Sequence, residues 1–316
     1  MVEAPTPERI EKALAEAEPG ESFQYLDGWE RPRAGTSFFR FAVEPSGRTI
    51  VVKTGSQWSA DDAERLCEAH ASLTRAVSEP QIEQAASIHP VTYLIDPPSL
   101  VMPDVGGTDV VSILRDPHRP EWESMTSWIR AAGAMLAAFH AANPAPPDVG
   151  TGDIVETARR MRIDDVARLI LDRAKWEESC AAVYGDFGPG NLIGVLDGPV
   201  YLIDPPMMPP GGPIHRDLGN FVFELRRQLA GHGHTRTRPV PGRFDTLLEA
   251  LLDGYSERSG SVLAPSDEAL IALYEMRRAA GMARKRLSKR PFESVWFARS
   301  ALERRREVVG LAGQPE

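Results

Sequence analysis

The chain has little cysteine, with only Cys67 and Cys180 among 316 residues. Neither lies in a Cys-x-x-Cys pair or a His-rich context, so reduced thiols are expected rather than a disulfide framework or a structural zinc site. There is no uninterrupted run of about 18 apolar residues, so no membrane span is expected. The first residues are polar and acidic and do not form a basic-then-apolar leader, so a cytoplasmic protein is expected. Gly and Pro number 26 and 27, above average, but without a collagen-like period or a low-complexity tract. The length, with 42% of residues hydrophobic, suffices for one large or two modest cores.

Acidic residues outnumber basic ones, 45 to 36, but unevenly. The formal net charge is -9. Between Glu275 and Arg306 the balance reverses: Arg277, Arg278, Arg284, Lys285, Arg286, Lys289, Arg290, Arg299 and Arg304 to Arg306 face only Glu275, Glu293 and Glu303. The rest of the chain is therefore strongly acidic, and no nucleic-acid partner is expected.

Apolar spacing divides the chain into a strand-rich beginning and a helix-rich remainder. Thr6 to Glu18 reads as a short helix through Ile10, Leu14 and Ala17, with Pro7 at its start. Strands follow around Phe23 to Leu26, Phe38 to Val43 and Thr49 to Lys53, the last two joined by a Pro45-Ser46-Gly47 turn. Asp61 to Val77 is an amphipathic helix with Ala63, Leu66, Cys67, His70, Leu73 and Val77 on one face. Val91 to Ile95 and Ser99 to Met102 are two further strands. Pro103-Asp104-Val105-Gly106-Gly107 is the most natural boundary, dividing the chain into 1–103 and 104–316. Beyond it, Trp122 to Asn143 is a strong helix, and a helical region runs from Ile154 to about Glu178. Helices also cover His215 to Leu229, Phe244 to Arg258, Ser266 to Arg286 and Pro291 to about Leu311.

The most informative stretch is Val183-Tyr184-Gly185-Asp186-Phe187-Gly188-Pro189-Gly190-Asn191, followed by a hairpin and then Leu202-Ile203-Asp204. Strands on either side would place Asp186 at a strand end, Asn191 at the start of the next strand, and Asp204 at the end of the strand after the Leu196-Asp197-Gly198 turn. Two carboxylates and an amide so placed are the groups phosphoryl transfer requires: one carboxylate to receive or orient the attacking hydroxyl's proton, and an amide and a carboxylate for magnesium. A bare Asp-x-x-x-x-Asn is also a common turn sequence, so the weight rests on the whole ordered set. The Gly231-His232-Gly233-His234 run has no third ligand nearby and reads as a loop.

Gly185-Asp186 with Asn191 and the following Ile203-Asp204 resembles the catalytic loop and metal-binding strand of the aminoglycoside phosphotransferase and choline kinase family. That family shares its fold with protein kinases. The resemblance implies an α+β protein with a small antiparallel-sheet N-lobe and a larger, mainly helical C-lobe. It also implies ATP or GTP as co-substrate, Mg2+, a small-molecule acceptor, and Asp186 as catalytic base with Asn191 and Asp204 as metal ligands. Lys53 would hold the phosphates beside backbone groups of Gly35, Thr36 and Ser37. Glu64 and Glu68 lie one turn apart on the helix, and the resemblance favours Glu68 as the partner of Lys53. Backbone groups near Met102 and Asp104 would bind the adenine edge, His140 would be a structural hydrogen-bonding residue, and Asp217 would buttress the loop.

Two departures stand out. Tyr184 replaces the family's His before Gly-Asp, and Pro205 to Pro213 replaces a short aromatic and Gly-Asp-Pro run. They are the signs of the alternative, a nucleotide-binding pseudokinase or scaffold, against which the joint presence of Lys53, Asp186, Asn191 and Asp204 argues. A protein kinase is disfavoured because no activation segment ends in Ala-Pro-Glu. Cationic acceptors are implied by the family. The basic C-terminal helices would favour an anionic acceptor if they faced it.

Overall fold

The computed structural model describes residues 5–31, 35–78, 82, 84–87, 92–116, 118–161, 180–206, 211–230, 242–287 and 291–312. Contacts divide the chain into two compact units. One comprises Met1–Pro80, Ala86–Gly107 and Tyr201–Met208, and the other Gln81–Ala85, Thr108–Val200 and Pro209–Glu316.

In the first unit, helix α1 (Pro7–Ala17) begins where the Thr6 hydroxyl accepts the Arg9 amide hydrogen. Ile10 and Leu14 are sealed, whereas Ala17, read as part of the same stripe, is exposed. Strands β1 (Ser22–Arg31), β2 (Thr36–Glu44) and β3 (Arg48–Gly55) come next, then α2 (Ala60–Ser78), β5 (Thr92–Leu94) and β6 (Ser99–Pro103); the short β4 (Ala85–Ser87), within which the two units divide, precedes β5 in the chain and is not part of the main sheet. The main sheet is antiparallel in the order β1-β2-β3-β6-β5. Alternation across the pleat sends Phe39, Phe41, Val43, Ile50 and Val52 into one core with Ile10, Leu14, Leu94 and Val101. The same alternation sends Lys53 to the other face, where it pairs in register with Phe38. Helix α2 packs against β5 and β6 with Ala63, Leu66, His70, Leu73 and Val77 buried, while Cys67, expected on the same stripe, is only half-buried.

The second unit is mainly helical. It opens with β7 (Thr108–Asp109) and a short helix, α3 (Val110–Arg115), capped by Asp109. The long helix expected from Trp122 starts as a 3-10 turn over Pro120–Ser124 and becomes α4 (Met125–Ala142). Its Trp128 is fully buried and donates from Nε1 to the Gly198 carbonyl at 3.0 Å. This ties α4 to the turn between β9 (Leu192–Gly194) and β10 (Val200–Leu202). Helix α5 (Pro147–Met161) precedes β8 (Cys180–Ala182), which pairs antiparallel with β11 (Gly211–Pro213). Helices α6 (His215–Leu229), α7 (Arg243–Ser259), α8 (Pro265–Arg286) and α9 (Pro291–Ala312) complete the unit at the positions the spacing predicts.

Two apolar clusters hold these helices together. Ile154 and Ala158 of α5 pack with Leu270 and Leu273 of α8 and Val308 of α9. Phe223 of α6, Ala279 of α8 and Phe297 of α9 form the other. Each fully buried Leu or Phe contributes about 1.5–3 kcal/mol. Helix α6 crosses α8 closely at Gly219, where a side chain would come within 2.6 Å of the Ile271 carbonyl oxygen. No helix among the described residues is long and apolar enough to cross a membrane. The expected helical continuation to Glu178, the His232 and His234 loop, and Met207 to Pro210 of the proline-rich segment lie outside the described residues.

Candidate active site

The loop after β8 is held from three sides. Asp217, in the first turn of α6, is fully buried. Its Oδ1 accepts the Gly185 amide hydrogen at 2.7 Å, and its Oδ2 accepts that of Tyr184 at 2.6 Å. A helix N-terminus is a favourable place for such a carboxylate, and each backbone donor would otherwise be costly to bury. Asn220, one turn further on, donates from Nδ2 to the Gly185 carbonyl at 3.2 Å, so α6 engages both backbone groups of Gly185. Gly185 has φ 84°, a conformation in which a side chain would be strained.

Behind Asp217 lies a buried polar chain. His140 Nε2 is 3.1 Å from Asp217 Oδ2, and His140 Nδ1 is 3.0 Å from the Tyr255 hydroxyl. The imidazole thus bridges the Asp217 carboxylate and the Tyr255 hydroxyl through its two ring nitrogens. Burial, reinforced by the charges of Asp217 and Asp267, pushes the Tyr255 phenol far above its usual range. His140 therefore has the structural hydrogen-bonding role its sequence context suggests.

Aromatic side chains anchor the loop itself. The Tyr184 ring meets Phe139 edge-on at 5.4 Å and Phe187 at 5.6 Å, and Phe187 meets Phe221 at 5.1 Å. Tyr184 therefore organises the loop by ring packing as well as through its backbone amide. With Tyr184 and Phe187 turned inward, Asp186 points outward, its side chain 79% exposed. Asn191 ends a 3-10 turn at Pro189–Asn191, and its Nδ2 donates to the Asp186 carbonyl at 2.8 Å. A carbonyl partner requires the NH2 on that side, which leaves the amide oxygen of Asn191 to act as an acceptor or ligand.

The sequence reading did not single out Arg278. From α8 its guanidinium reaches Asp186 Oδ1 at 3.2 Å and Glu224 Oε1 at 3.7 Å. The signal was present only as one cation within a basic stretch, with nothing to mark it from its neighbours.

The first unit contains the second constellation. Lys53 is 8% exposed on β3, and its Nζ lies 2.5 Å from Asp204 Oδ1. The Trp58 ring covers the same ammonium, its centroid 5.6 Å away. Asp204 has φ 57°, an unusual conformation for a non-glycine residue. Glu68, favoured by resemblance as the partner of Lys53, is exposed. The buried stripe runs through Ala63, Leu66, His70 and Leu73, and Glu68 falls about 140° from it at 100° per residue. Glu64 accepts instead from the Tyr93 hydroxyl at 3.0 Å.

The remaining expected residues line β2 and β6. Thr36 and Ser37 pair in register with Gly55 and Thr54, and the Gly35 carbonyl accepts the Ser56 amide hydrogen at 2.7 Å. Gly35 has φ 60°, and a side chain there would meet Ser56 Oγ at 2.6 Å. Met102 pairs with Val51 on β3. The Asp104 amide donates to the Thr49 carbonyl at 2.9 Å, and its carboxylate accepts from Gly106 N–H at 2.9 Å. The Asp104 N–H is thus committed to the sheet.

Among the described residues, no group of three or more His, Cys, Asp and Glu side chains forms a metal site. In the first unit Asp204 offers a carboxylate, and in the second Asn191 offers an amide oxygen. Each is a hard oxygen donor of the kind magnesium takes, usually one or two from protein with water and phosphate oxygens completing its shell.

No family model matches the sequence, and no curated protein matches it. Solved structures do resemble it in three dimensions. A glucosamine kinase in complex with glucosamine, ADP and inorganic phosphate aligns over 96% of this chain and 86% of its own, at 16% identity and a TM-score of 0.58. A spectinomycin phosphotransferase in complex with ADP and spectinomycin aligns over 98% of both chains, at 12% identity and a TM-score of 0.53. A choline/ethanolamine kinase family protein from Mesorhizobium loti aligns over 98% of this chain and 95% of its own, at 13% identity and a TM-score of 0.50. With an antiparallel-sheet first unit and a mainly helical second unit, the chain has the protein-kinase-like fold of these solved structures.

Proposed function

We propose that this protein is a small-molecule kinase, moving the γ-phosphoryl group of ATP or GTP to a hydroxyl of a small acceptor such as an aminoglycoside-like compound, an amino alcohol or a sugar. The observation that carries this is the grip of Asp217 on two consecutive loop amides, which fixes the backbone immediately before an exposed carboxylate, Asp186. A loop of common turn residues would not need a buried ionised buttress; a catalytic carboxylate that must hold one position does.

In this scheme Asp186 receives or orients the proton of the acceptor hydroxyl. The hydroxyl oxygen forms a bond to the γ-phosphorus as the bond to the bridging oxygen breaks, and the nucleoside diphosphate leaves. Lys53 neutralises phosphate charge, and its exposed alternative partner Glu68 gives way to Asp204 in this structure. Asn191 and Asp204 are the residues that would hold magnesium, which when bound neutralises charge on the phosphates. Backbone groups of Gly35, Thr36 and Ser37 are assigned to the phosphates, and those near Met102 and Asp104 to the base. The Asp104 amide is already bonded to Thr49, so its carbonyl is the group left for that purpose. The solved neighbours in complex with ADP support a nucleotide co-substrate, and the glucosamine and spectinomycin bound beside it support small hydroxylated acceptors.

The test is magnesium-dependent ATP and GTP turnover against aminoglycosides, amino alcohols, nucleosides and sugars, with D186N as control. Acceptor-stimulated turnover that is lost in D186N is the expected result. Near-normal turnover in D186N would remove Asp186 from the chemistry. Nucleotide binding with no turnover on any acceptor would favour the non-catalytic scaffold instead.

A further inference from the structure

The charges around Asp186 form a short ladder within the second unit. Arg227 donates from Nε to Glu224 Oε2 at 2.6 Å, and Glu224 Oε1 faces Arg278 at 3.7 Å. Arg278 in turn reaches Asp186 Oδ1 at 3.2 Å. Glu224 is therefore committed to Arg227 first and compensates Arg278 only at long range. The Arg278 Nε is buried without a hydrogen-bond partner, so this guanidinium is under-used as a donor. Two other cations of the basic stretch are paired elsewhere. Arg277 is held by Asp153 at 2.9 Å, and Arg304 lies 3.9 Å from Glu275, whose other oxygen holds Arg226 of α6 at 2.7 Å. Among the described residues of that stretch, Arg278 is the cation that touches the candidate base.

Resting on the kinase assignment above, we propose that Arg278 selects the acceptor: the preferred substrate carries a carboxylate or phosphate near the hydroxyl that is phosphorylated, and an ammonium there is rejected. The base must touch the acceptor hydroxyl, so a guanidinium bonded to that base lies within a few ångströms of the hydroxyl's neighbours. When Asp186 takes the hydroxyl's proton it loses its charge, and Arg278 keeps only the distant Glu224 as counter-ion. An anionic group on the acceptor then supplies the missing charge beside the guanidinium, whereas an ammonium adds to the excess. The three solved neighbours are associated with glucosamine, spectinomycin and choline or ethanolamine. Arg278 would set this chain apart from acceptors of that charge.

The experiment compares acceptors matched in shape and differing in charge: glucuronate, glucose and 6-amino-6-deoxyglucose, and separately glycerate, glycerol and 3-amino-1,2-propanediol. Nucleoside diphosphate release is measured for wild type, R278K and R278E, with circular dichroism confirming that each variant is folded. In wild type the acidic member of a trio should exceed the ammonium member in kcat/KM by on the order of ten-fold or more. R278K should retain most of that ratio, and R278E should bring it to one or below. A wild-type preference for the ammonium member, or a ratio unchanged in R278E, overturns the proposal and leaves the kinase assignment standing. So does transfer to neutral or cationic hydroxyl compounds alone. An equal loss with every acceptor, including water, would place Arg278 on the transferring phosphoryl group and also overturn it. If no compound stimulates turnover, the kinase assignment falls and this proposal with it.

Discussion

Asp217 takes the amide hydrogen of Gly185 at 2.7 Å, and through that bond the first turn of α6 fixes the backbone of a loop 32 residues earlier in the chain. The second carboxylate oxygen is shared between the Tyr184 amide and His140. Both oxygens of this side chain are in use, by three donors in all.

That sharing predicts the behaviour of D217N. An amide has one acceptor oxygen, so its NH2 must face one of the two backbone donors or His140. The cost should be about 1–3 kcal/mol, the price of a buried unsatisfied donor. Turnover should fall further than stability implies, by roughly ten-fold or more, because Asp186 loses its fixed position. Thermal melts beside steady-state kinetics check this. A variant with normal kcat and a normal melt would mean the loop is held by its aromatic anchors alone.

Asp186 should show the opposite pattern. Its side chain is 79% exposed and its ion pair with Arg278 lies at the surface, so D186N should change stability by no more than about 0.5 kcal/mol. Turnover should fall by on the order of a thousand-fold or more. The combination is diagnostic, since a merely structural residue would lose both together. Denaturant titration of the same preparations used for kinetics checks it.

Much of this site follows from local sequence. Strand alternation puts Lys53 on the face opposite Ile50 and Val52, and helical spacing identifies the buried stripe of α2. The Gly-Asp to Asn spacing and the Asp at a helix start point to the loop and its buttress. What could not be read locally is which distant partners meet. Lys53 and Asp204 are 151 residues apart, and Arg278 and Asp186 are 92 apart. No periodicity within either segment encodes such a pairing. Glu68 was misplaced for a related reason: resemblance gave a sequence position, but the apolar stripe fixes the helix rotation, and that rotation turns Glu68 to solvent. Helix α3 is only Val110–Arg115, too short to establish a period.

The Lys53–Asp204 pair predicts a double-mutant cycle. Lys53 is 8% exposed, so D204A leaves a buried ammonium with only the Trp58 ring as compensation. The expected loss is roughly 3 kcal/mol, toward the lower end for a broken buried pair because Asp204 keeps some exposure to water. Adding K53M to D204A removes the orphaned charge and should recover about 1 kcal/mol or more. Both variants should lose turnover, so the readout here is denaturant midpoint. Additive losses in the double variant would show that the two side chains do not interact.

Tyr255 predicts how the second unit responds to alkali. Its phenol is held far above the usual range, first by burial and then by the charges of Asp217 and Asp267. A group with a raised folded-state pKa stabilises the fold fully below its unfolded value, about 10 for tyrosine, and this contribution shrinks as pH rises from there toward the folded value. The unfolded chain releases the proton while the folded chain retains it. Stability should therefore fall above about pH 10 by about 1.4 kcal/mol per pH unit for this residue. Y255F carries no such proton. It should be less stable than wild type at pH 8, where the bond to His140 is lost, yet should lose less with each further pH unit above 10. Tyr274 is raised in the same way, by burial and then by Asp153, so the slope should not vanish in Y255F and should flatten further in Y255F/Y274F. Guanidinium titrations between pH 8 and 11 on the three proteins measure these slopes. Parallel curves for wild type and Y255F would mean that Tyr255 ionises freely in the folded protein, and that the His140–Asp217 chain behind the loop is open to water.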